Sequence, residues 1–296
     1  MNPSDPRLLL SYITIATVGL LHYFSRMFSA FPVQNEPLVR DSDSSGLSSR
    51  TSLWRPAQVS SAIRCEPPDI PNEYFLSKSE EDRKLMKWFG SICGGTYLEL
   101  GGLDGRSFSN SFVFNKALGW KGVLIELRQD NFEKLVENRP DEIASINAGV
   151  CDKKQTLHAI HSELGAVSGI YEFAAPSFKE KWWPGISLEN DPRVQPIECD
   201  TLDNLLLKYA PEATHFDFLS LDVEGAEFSV LKSIDFDRTQ FGIAFVEADE
   251  HNEMKNIAMR EFLEKEGYRF LFEYKKNYWF VNANFNEIYQ NLIYQT

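Results

Sequence analysis

The 296-residue sequence predicts an α/β fold, a doubly wound and mostly parallel sheet preceded by one N-terminal transmembrane helix. Short apolar runs alternate with segments of helical periodicity, and such alternation forms parallel sheets covered on both faces. The last two apolar runs are separated only by the turn Lys275-Lys276, so they should form an antiparallel C-terminal hairpin. Near the amino terminus lies an uncharged stretch of membrane-spanning length.

The uncharged stretch is LLLSYITIATVGLLHYFS, the 18 residues between Arg7 and Arg26. As a helix it would cover roughly 27 Å, close to the hydrocarbon thickness of a bilayer. A cleaved signal peptide is the plain alternative, but Phe28-Ser29-Ala30 has a bulky residue where the cleavage site needs a small one. We expect an uncleaved, single-pass signal anchor over residues 1–30, in the Golgi or elsewhere in the secretory pathway. An organelle transit peptide is a further alternative.

Polar sequence follows the predicted anchor. Residues 31–72 are rich in Ser, Pro and Arg and include DSDSSGLSSR, without apolar periodicity. Such a segment buries too little apolar surface to fold, so we expect a disordered stem there and a globular domain over residues 73–296.

Within the globular part, apolar spacing defines the individual elements. Helices are expected at 80–92, 110–118, 130–138, 226–233 and 252–265, and strands at 97–100, 122–127, 143–147, 218–223, 241–247, 268–274 and 277–281. Residues 157–197, with Trp182 and Trp183, fit no strand–helix unit. They are interpreted either as a substrate-facing insertion or as a packing excursion over the sheet.

Charge and cysteine content exclude some functions. The formal net charge is −13 and the first 64 residues are slightly basic, so the domain itself is strongly acidic. An acidic domain repels phosphate backbones, so no nucleic-acid partner is expected. The four cysteines contain no C-x-x-C pair, which leaves a zinc or redox motif unsupported. They would be disulfides in a secretory lumen and buried thiols in the cytosol.

The first predicted strand ends in the glycine loop ELGGLDG, residues 99–105. Gly101 and Gly105 permit close backbone approach to a ligand. Ser109 or Asn110 is expected to cap the next helix, whose amino terminus favours a carboxylate. Because Leu103 breaks the G-x-G-x-x-G pattern, a dinucleotide site is disfavoured.

Acidic residues follow the other strands. Glu126 ends the second strand, where a carboxylate accepts hydrogen bonds from ribose hydroxyls. Asp152 follows the third strand and is placed to meet an adenine amino group, with Val150 or Cys151 against the ring. Ligands bind beyond the carboxyl ends of such strands. The pattern therefore predicts a nucleoside site.

The fourth strand leads into SLDVEGAEF, which contains Asp222, Glu224 and Glu227. Asp222 lies on an otherwise apolar strand, where a carboxylate costs solvation free energy unless it binds something. The fifth strand adds Glu247 to the same rim. A Mg²⁺ bridging Asp222 and Glu247 is conceivable, but two acids do not specify a metal site, and no metal ligands are predicted.

These motifs carry a family resemblance. ELGGLDG, LGWKGVLIEL, IECDTLDNLL and FLSLDVEGAEFSVLKS resemble the FkbM-type methyltransferases in order and spacing, over residues 95–282. The chain has Glu99 where Asp is usual and Gly102-Leu103 where Ala-Asn is common. The resemblance implies a Rossmann-like sheet of methyltransferase type and O-methylation of a hydroxyl acceptor, a sugar or other small metabolite, with S-adenosylmethionine.

The resemblance also implies roles for residues. Glu99, Gly101 and Gly105 would hold the methionine end of the cofactor, Glu126 the ribose, and Asp222 and Glu224 would lie near the transferred methyl group. The full set expected at the cofactor is Glu99, Gly101, Gly102, Asp104, Gly105, Ser109, Glu126, Asp152 and Asp222.

For a hydroxyl acceptor, a positioned base should accelerate the transfer. The expected base is Asp222 or Glu224, with His158 as the next candidate. Two rival functions stay open. One is an inactive membrane-anchored protein that uses the fold for protein binding, because SNSFVF and LGWKGVLIE weakly resemble an animal membrane protein known for trafficking. The other is a nicotinamide-dependent enzyme, which the glycine loop disfavours.

Overall fold

The computed structural model describes residues 63–66, 68–163, 165–250 and 252–283. The predicted anchor, most of the predicted stem and His251 lie outside the described residues. Within those ranges, no helix combines the length and the apolar character that crossing a bilayer requires.

The ordered fold begins by Ile63, earlier than the expected boundary at residue 73. Strand β1 (Ile63–Arg64) pairs antiparallel with β2 (Ile92–Cys93). The Cys65–Cys93 disulfide closes this corner. The end of the predicted stem is therefore part of the domain. It is held by a disulfide that the amino-acid composition of the stem does not reveal.

A seven-stranded sheet forms the centre of the domain. Its strands are β3 (Thr96–Leu100), β4 (Lys121–Glu126), β5 (Ala144–Asn147), β10 (His215–Leu221), β11 (Gln240–Glu247), β12 (Tyr268–Tyr274) and β13 (Asn277–Asn282). Their order is β12-β13-β11-β10-β3-β4-β5. The five adjacent strands β11, β10, β3, β4 and β5 are parallel to one another. Strand β13 is antiparallel to both its neighbours, β11 and β12. This confirms the expected mixed α/β sheet with a C-terminal hairpin.

Seven α-helices accompany the strands in the described part of the chain. They are α1 (Glu81–Phe89), α2 (Phe112–Leu118), α3 (Gln129–Asn138), α4 (Pro176–Trp182), α5 (Leu202–Tyr209), α6 (Glu227–Leu231) and α7 (Glu253–Lys265). Five were expected. Helix α5 starts at the T-L-D-x-L element, where the Thr201 hydroxyl accepts a hydrogen bond from the Asn204 amide.

The two faces of the sheet bury separate apolar clusters. Leu98 and Leu100 of β3 point into a cluster that includes residues of α5, α6 and α7. Tyr97 points the other way, into an aromatic cluster with Phe89, Trp120 and other residues of the α1 and α2 side. This alternation is what a strand covered on both faces requires.

Residues 149–200 form a second sheet that the sequence analysis did not anticipate. Its four strands are β6 (Gly149–Val150), β7 (Gln155–Ile160), β8 (Gly169–Ile170) and β9 (Val194–Asp200), in the order β6-β9-β7-β8. Cys151 and Cys199 form a disulfide across this sheet. All four cysteines are thus paired, so of the two alternatives the structure has the disulfides and not the buried thiols.

A buried arginine supports the glycine loop. The Arg139 side chain is 0% exposed and pairs with the equally buried Glu142 at 2.8 Å. Its guanidinium also donates to the Gly105 carbonyl at 3.0 Å and to the Ser111 hydroxyl at 3.0 Å. Through its bonds to Gly105 and Ser111, Arg139 holds the loop that precedes α2. Removing either partner of the Arg139–Glu142 pair would leave an uncompensated buried charge.

We expect Arg139→Met to lower the free energy of unfolding by about 3–5 kcal/mol, because Glu142 would remain buried without its cation. Urea denaturation followed by circular dichroism measures the change. Arg260→Met is the matched control, since Arg260 forms an exposed pair with Glu264, and such pairs contribute about 1 kcal/mol or less. Equal losses in the two variants would contradict the assignment.

Candidate active site

The carboxyl ends of three neighbouring parallel strands bring the predicted residues together. Leu100 is in register with Ile125 on β4 and with Leu221 on β10. The residues that follow, Gly101, Glu126 and Asp222, are therefore adjacent. Val246 of β11 is paired with Leu221, so Glu247 joins the same rim.

Gly101 is required at its position. Its φ of +82° lies in the left-handed region, and a β-carbon there would lie 2.0 Å from the carbonyl oxygen of Asp222. A side chain would therefore push β3 and β10 apart. Leu103, Phe108 and Glu224 also have positive φ and border the same cavity. Strained backbone of this kind clusters at functional sites.

These strand ends line one large cavity. Of the residues predicted at the site, Glu99, Gly101, Glu126, Asp222 and Glu224 border it. Other segments, which were not assigned to the site from the sequence, also border it. They are Lys78, Ser79 and Glu81 at the start of α1, Ala148 and Gly149, Ala166, Ser168, Gly169 and Ile170, and Lys276 and Asn277 of the hairpin.

Glu126 is buried and partly saturated by hydrogen bonds. One carboxylate oxygen accepts from the Leu103 amide at 2.9 Å and the other from the Arg128 amide at 2.8 Å. Burial raises the pKa of Glu126 to about 6, against these hydrogen bonds, which lower it. The oxygen bound by Arg128 also accepts from the Asn131 side chain at 3.5 Å, whereas the oxygen bound by Leu103 keeps a lone pair for a ligand hydroxyl.

Three carboxyls meet at the rim beside Gly101. One oxygen each of Asp222, Glu224 and Glu247 lies within 4.8 Å of the others. Burial, followed by the charge of Asp222, raises the pKa of Glu224 to about 9 and the pKa of Glu247 to about 11. Both glutamates therefore hold their protons at neutral pH unless a cation enters the cavity.

A divalent cation could use the same three side chains, since oxygen ligands suit Mg²⁺ and Ca²⁺. Among the described residues, Asp222, Glu224 and Glu247 form the group with that geometry. The sequence analysis considered two of these acids. The absence of metal ligands stays a prediction.

Glu227, the third acid of DVEGAE, has a structural role. Its carboxylate accepts hydrogen bonds from the Val223 amide at 3.1 Å and the Gly225 amide at 3.0 Å, and Lys255 lies 3.4 Å away. Glu227 thereby fixes the turn that carries Asp222 and Glu224.

Glu99 lines the cavity wall but is held by its own loop. Its carboxylate accepts hydrogen bonds from the Asn110 amide at 2.8 Å, the Ser109 hydroxyl at 3.1 Å and the Ser111 hydroxyl. Burial raises its pKa, and Arg139 opposes the rise. The expected cap at Ser109 or Asn110 is wrong, because α2 begins at Phe112 after Ser111.

Other loop residues predicted at the cofactor support the loop from behind. A β-carbon on Gly102 would meet Leu135, and one on Gly105 would meet Arg139. Ser109 is 3% exposed and faces Glu99. These three residues do not line the cavity as expected.

Three polar predictions lie outside the cavity. Asp104 is half-buried and accepts hydrogen bonds from the Ser107 amide and hydroxyl. Asp152 lies beside Lys232, at 3.5 Å. His158, on β7, pairs with Glu172 at 2.6 Å. The second sheet, missed at the sequence level, turns Asp152 and His158 away, whereas Val150 reaches the cavity as predicted.

Comparison with known proteins gives the family. The family described as Methyltransferase FkbM domain matches residues 99–270, more than half of the chain. No curated protein matches, so the weaker likeness to a trafficking protein finds no support.

Solved structures of methyltransferases resemble the chain distantly. The FkbM methyltransferase of Methylobacillus flagellatus KT is 12% identical with a TM-score of 0.35, and the match covers 64% of this chain and 43% of that one. A putative RNA methyltransferase of Pyrococcus horikoshii is 12% identical with a TM-score of 0.34, covering 75% and 92%. A precorrin-6y C5,15-methyltransferase of Geobacter metallireducens GS-15 is 10% identical with a TM-score of 0.35, covering 72% and 98%.

Because all three TM-scores lie below 0.5, the assignment rests on the family match, which includes Gly101, Glu126, Asp222 and Glu247 at the strand ends. The chain belongs to the FkbM methyltransferase family.

Proposed function

We propose that the chain is an S-adenosylmethionine-dependent O-methyltransferase that acts on a hydroxyl of a small-molecule or glycan acceptor. One observation carries the proposal. Gly101, Glu126 and Asp222, expected to grip the cofactor, follow three adjacent parallel strands and line one cavity. That is the position at which doubly wound sheets bind their ligands.

The cofactor would use separate parts of this cavity. Glu126 would accept hydrogen bonds from the ribose hydroxyls, and Val150 would pack against the adenine. The open backbone at Gly101 would admit the methionine portion. These assignments use residues that border the cavity.

Charge favours a sulfonium cofactor over a dinucleotide. The cavity is bordered by the acids Glu81, Glu99, Glu126, Asp222, Glu224 and Glu247, and by the cations Lys78, Arg128 and Lys276. A positive sulfonium gains from this excess of carboxyl groups, because Glu224 and Glu247 can ionise beside it, whereas a pyrophosphate gains nothing from them. The nicotinamide alternative is therefore not supported.

The transfer would be an in-line displacement. When bound, the cofactor would supply the methyl group: the acceptor oxygen would bond to the methyl carbon as the carbon–sulfur bond breaks, and the electron pair of that bond would remain on sulfur, which becomes a neutral thioether. The hydroxyl proton passes to a carboxylate, which balances the charge. Positioning of the two reactants supplies most of the acceleration.

Asp222 is our first choice of base and Glu224 the second. The raised pKa of Glu224 keeps its carboxyl protonated until a positive charge enters the cavity. His158 is not proposed, because it lies on β7 outside the cavity and pairs with Glu172.

The disulfides support a secretory location. Cys65–Cys93 and Cys151–Cys199 both require an oxidising compartment to form and persist. We therefore propose that the domain works in the secretory lumen. The N-terminal anchor stays a prediction.

Calorimetric titration of the chain with S-adenosylmethionine and with NAD tests the cofactor. We expect heat of binding with the first ligand only. Glu126→Gln should weaken binding at least tenfold, about 1.4 kcal/mol, because the charged acceptor for the ribose is lost. Glu133→Gln is the control, since Glu133 is exposed on α3. Binding of NAD alone, or of neither ligand, would contradict the proposal.

A second test concerns the acid group. Because the folded-state pKa of Glu247 is raised from 4.5, its protonated carboxyl stabilises the fold fully only at low pH, and stability is lost as pH rises toward that pKa. Gln does not titrate. Between about pH 5 and about pH 9 we expect the Tm of Glu247→Gln to rise relative to the parent, by about 2–4 °C for each kcal/mol of stability that the parent loses.

Glu250→Gln serves as the comparison for this second test, because Glu250 is exposed at the same rim and pairs with Lys276. Differential scanning calorimetry of both variants gives the pH dependence. A Tm difference for Glu247→Gln that stays constant with pH would show that Glu247 titrates normally in the fold.

A further inference from the structure

A second cavity adjoins the cofactor cavity and is not used by the cofactor assignments above. Lys78, Glu224, Glu247 and Lys276 border both cavities. The two spaces therefore meet at the acid group beside Asp222. An acceptor placed in the second cavity would face the methyl group across this shared boundary.

The outer wall of the second cavity comes from the inserted segment. Phe178, Lys181 and Trp182 of α4 border it, together with Ala175 and Val167. The inserted segment also approaches the turn that carries Asp222 and Glu224. A β-carbon on Gly169 of β8 would lie 3.3 Å from the β-carbon of Glu224.

Helix α4 is fixed in place by its following residue. Trp183 is 2% exposed, and its indole nitrogen donates to the Val167 carbonyl at 2.8 Å. The Trp183 ring packs against Phe178 with centroids 5.1 Å apart. The wall is thus a packed structure that can present side chains to a ligand.

The charged side chains that border this cavity differ in whether they form ion pairs. Asp249 is paired with Lys255 at 2.7 Å, and Glu250 with Lys276 at 2.8 Å. In the part of the chain that the structure describes, no ion pair within 4.0 Å joins Lys78 or Lys181 to a carboxylate. Lys78 and Lys181 therefore present ammonium groups with which an anionic ligand can pair.

Trp182 adds an apolar face next to this positive charge. Its side chain is half-buried and the Lys181 ammonium lies 4.7 Å from its ring centroid. An aromatic ring beside a cation, opposite hydrogen-bonding carboxyl groups, suits a compact ligand with hydroxyls and a negative charge.

We propose that the second cavity is the acceptor site and selects a small polyhydroxylated acid, a sugar that carries a carboxylate or a phosphate, through Lys181 and Lys78. This inference rests on the proposed methyltransferase function. The acceptor hydroxyl would face Asp222 and Glu224, and its anionic group would face the lysines.

The test is an NMR titration of the chain saturated with S-adenosylhomocysteine, using glucose, glucuronate and glucose 6-phosphate as probes. We expect at least one anionic probe to bind tenfold or more tightly than glucose, with an affinity that falls as salt rises. Which anion binds better distinguishes a carboxylate from a phosphate acceptor.

Lys181→Glu should remove this preference by at least tenfold. Lys179→Glu is the matched control on the same helix, because Lys179 lies over the Tyr171 ring and does not border the cavity. Equal affinities for glucose and both anions, or equal effects of the two variants, would overturn the inference. Failure of S-adenosylhomocysteine to bind would instead overturn the proposed function.

Discussion

The contact between Gly101 and the backbone of Asp222 sets the geometry of the site. A β-carbon at residue 101 would lie 2.0 Å from the Asp222 carbonyl oxygen, so β3 and β10 reach their register only because that atom is missing. The same register places Glu126 on one side and Glu247 on the other. The cavity between these strand ends is therefore a consequence of main-chain packing, and the acids are its lining.

Crowding these carboxyl groups together lowers the stability of the protein when no ligand is bound. One carboxyl oxygen each of Asp222, Glu224 and Glu247 lies within 4.8 Å of the others. The pKa values of Glu224 and Glu247 are raised well above the ordinary value for a glutamate. Glu227 and Lys255 hold the turn in place despite this repulsion. A site that concentrates uncompensated carboxyl groups gains most from a ligand that brings positive charge, which is the physical argument for a sulfonium.

The sequence predicted the central sheet well because its strands are long, apolar and separated by helical periodicity. Glu126 and Asp222 could be found because each acid ends or follows such a strand. The second sheet could not, since β6 and β8 have two residues each and β9 contains Pro196. Because that sheet was not foreseen, Asp152 and His158 were predicted at the site. In the structure they lie outside the cavity and pair with Lys232 and Glu172. Lys78 lies far from the strand ends in sequence and carries no pattern that reveals its position.

The Cys65–Cys93 disulfide has a consequence for ligand entry. It closes a covalent ring of chain, with a sequence separation of 28, that contains Lys78, Ser79 and Glu81 of the cavity wall. This stretch cannot peel away from the amino-terminal side as an open strap would. Any movement of this part of the cavity wall must come from the ring changing shape between two covalently joined ends.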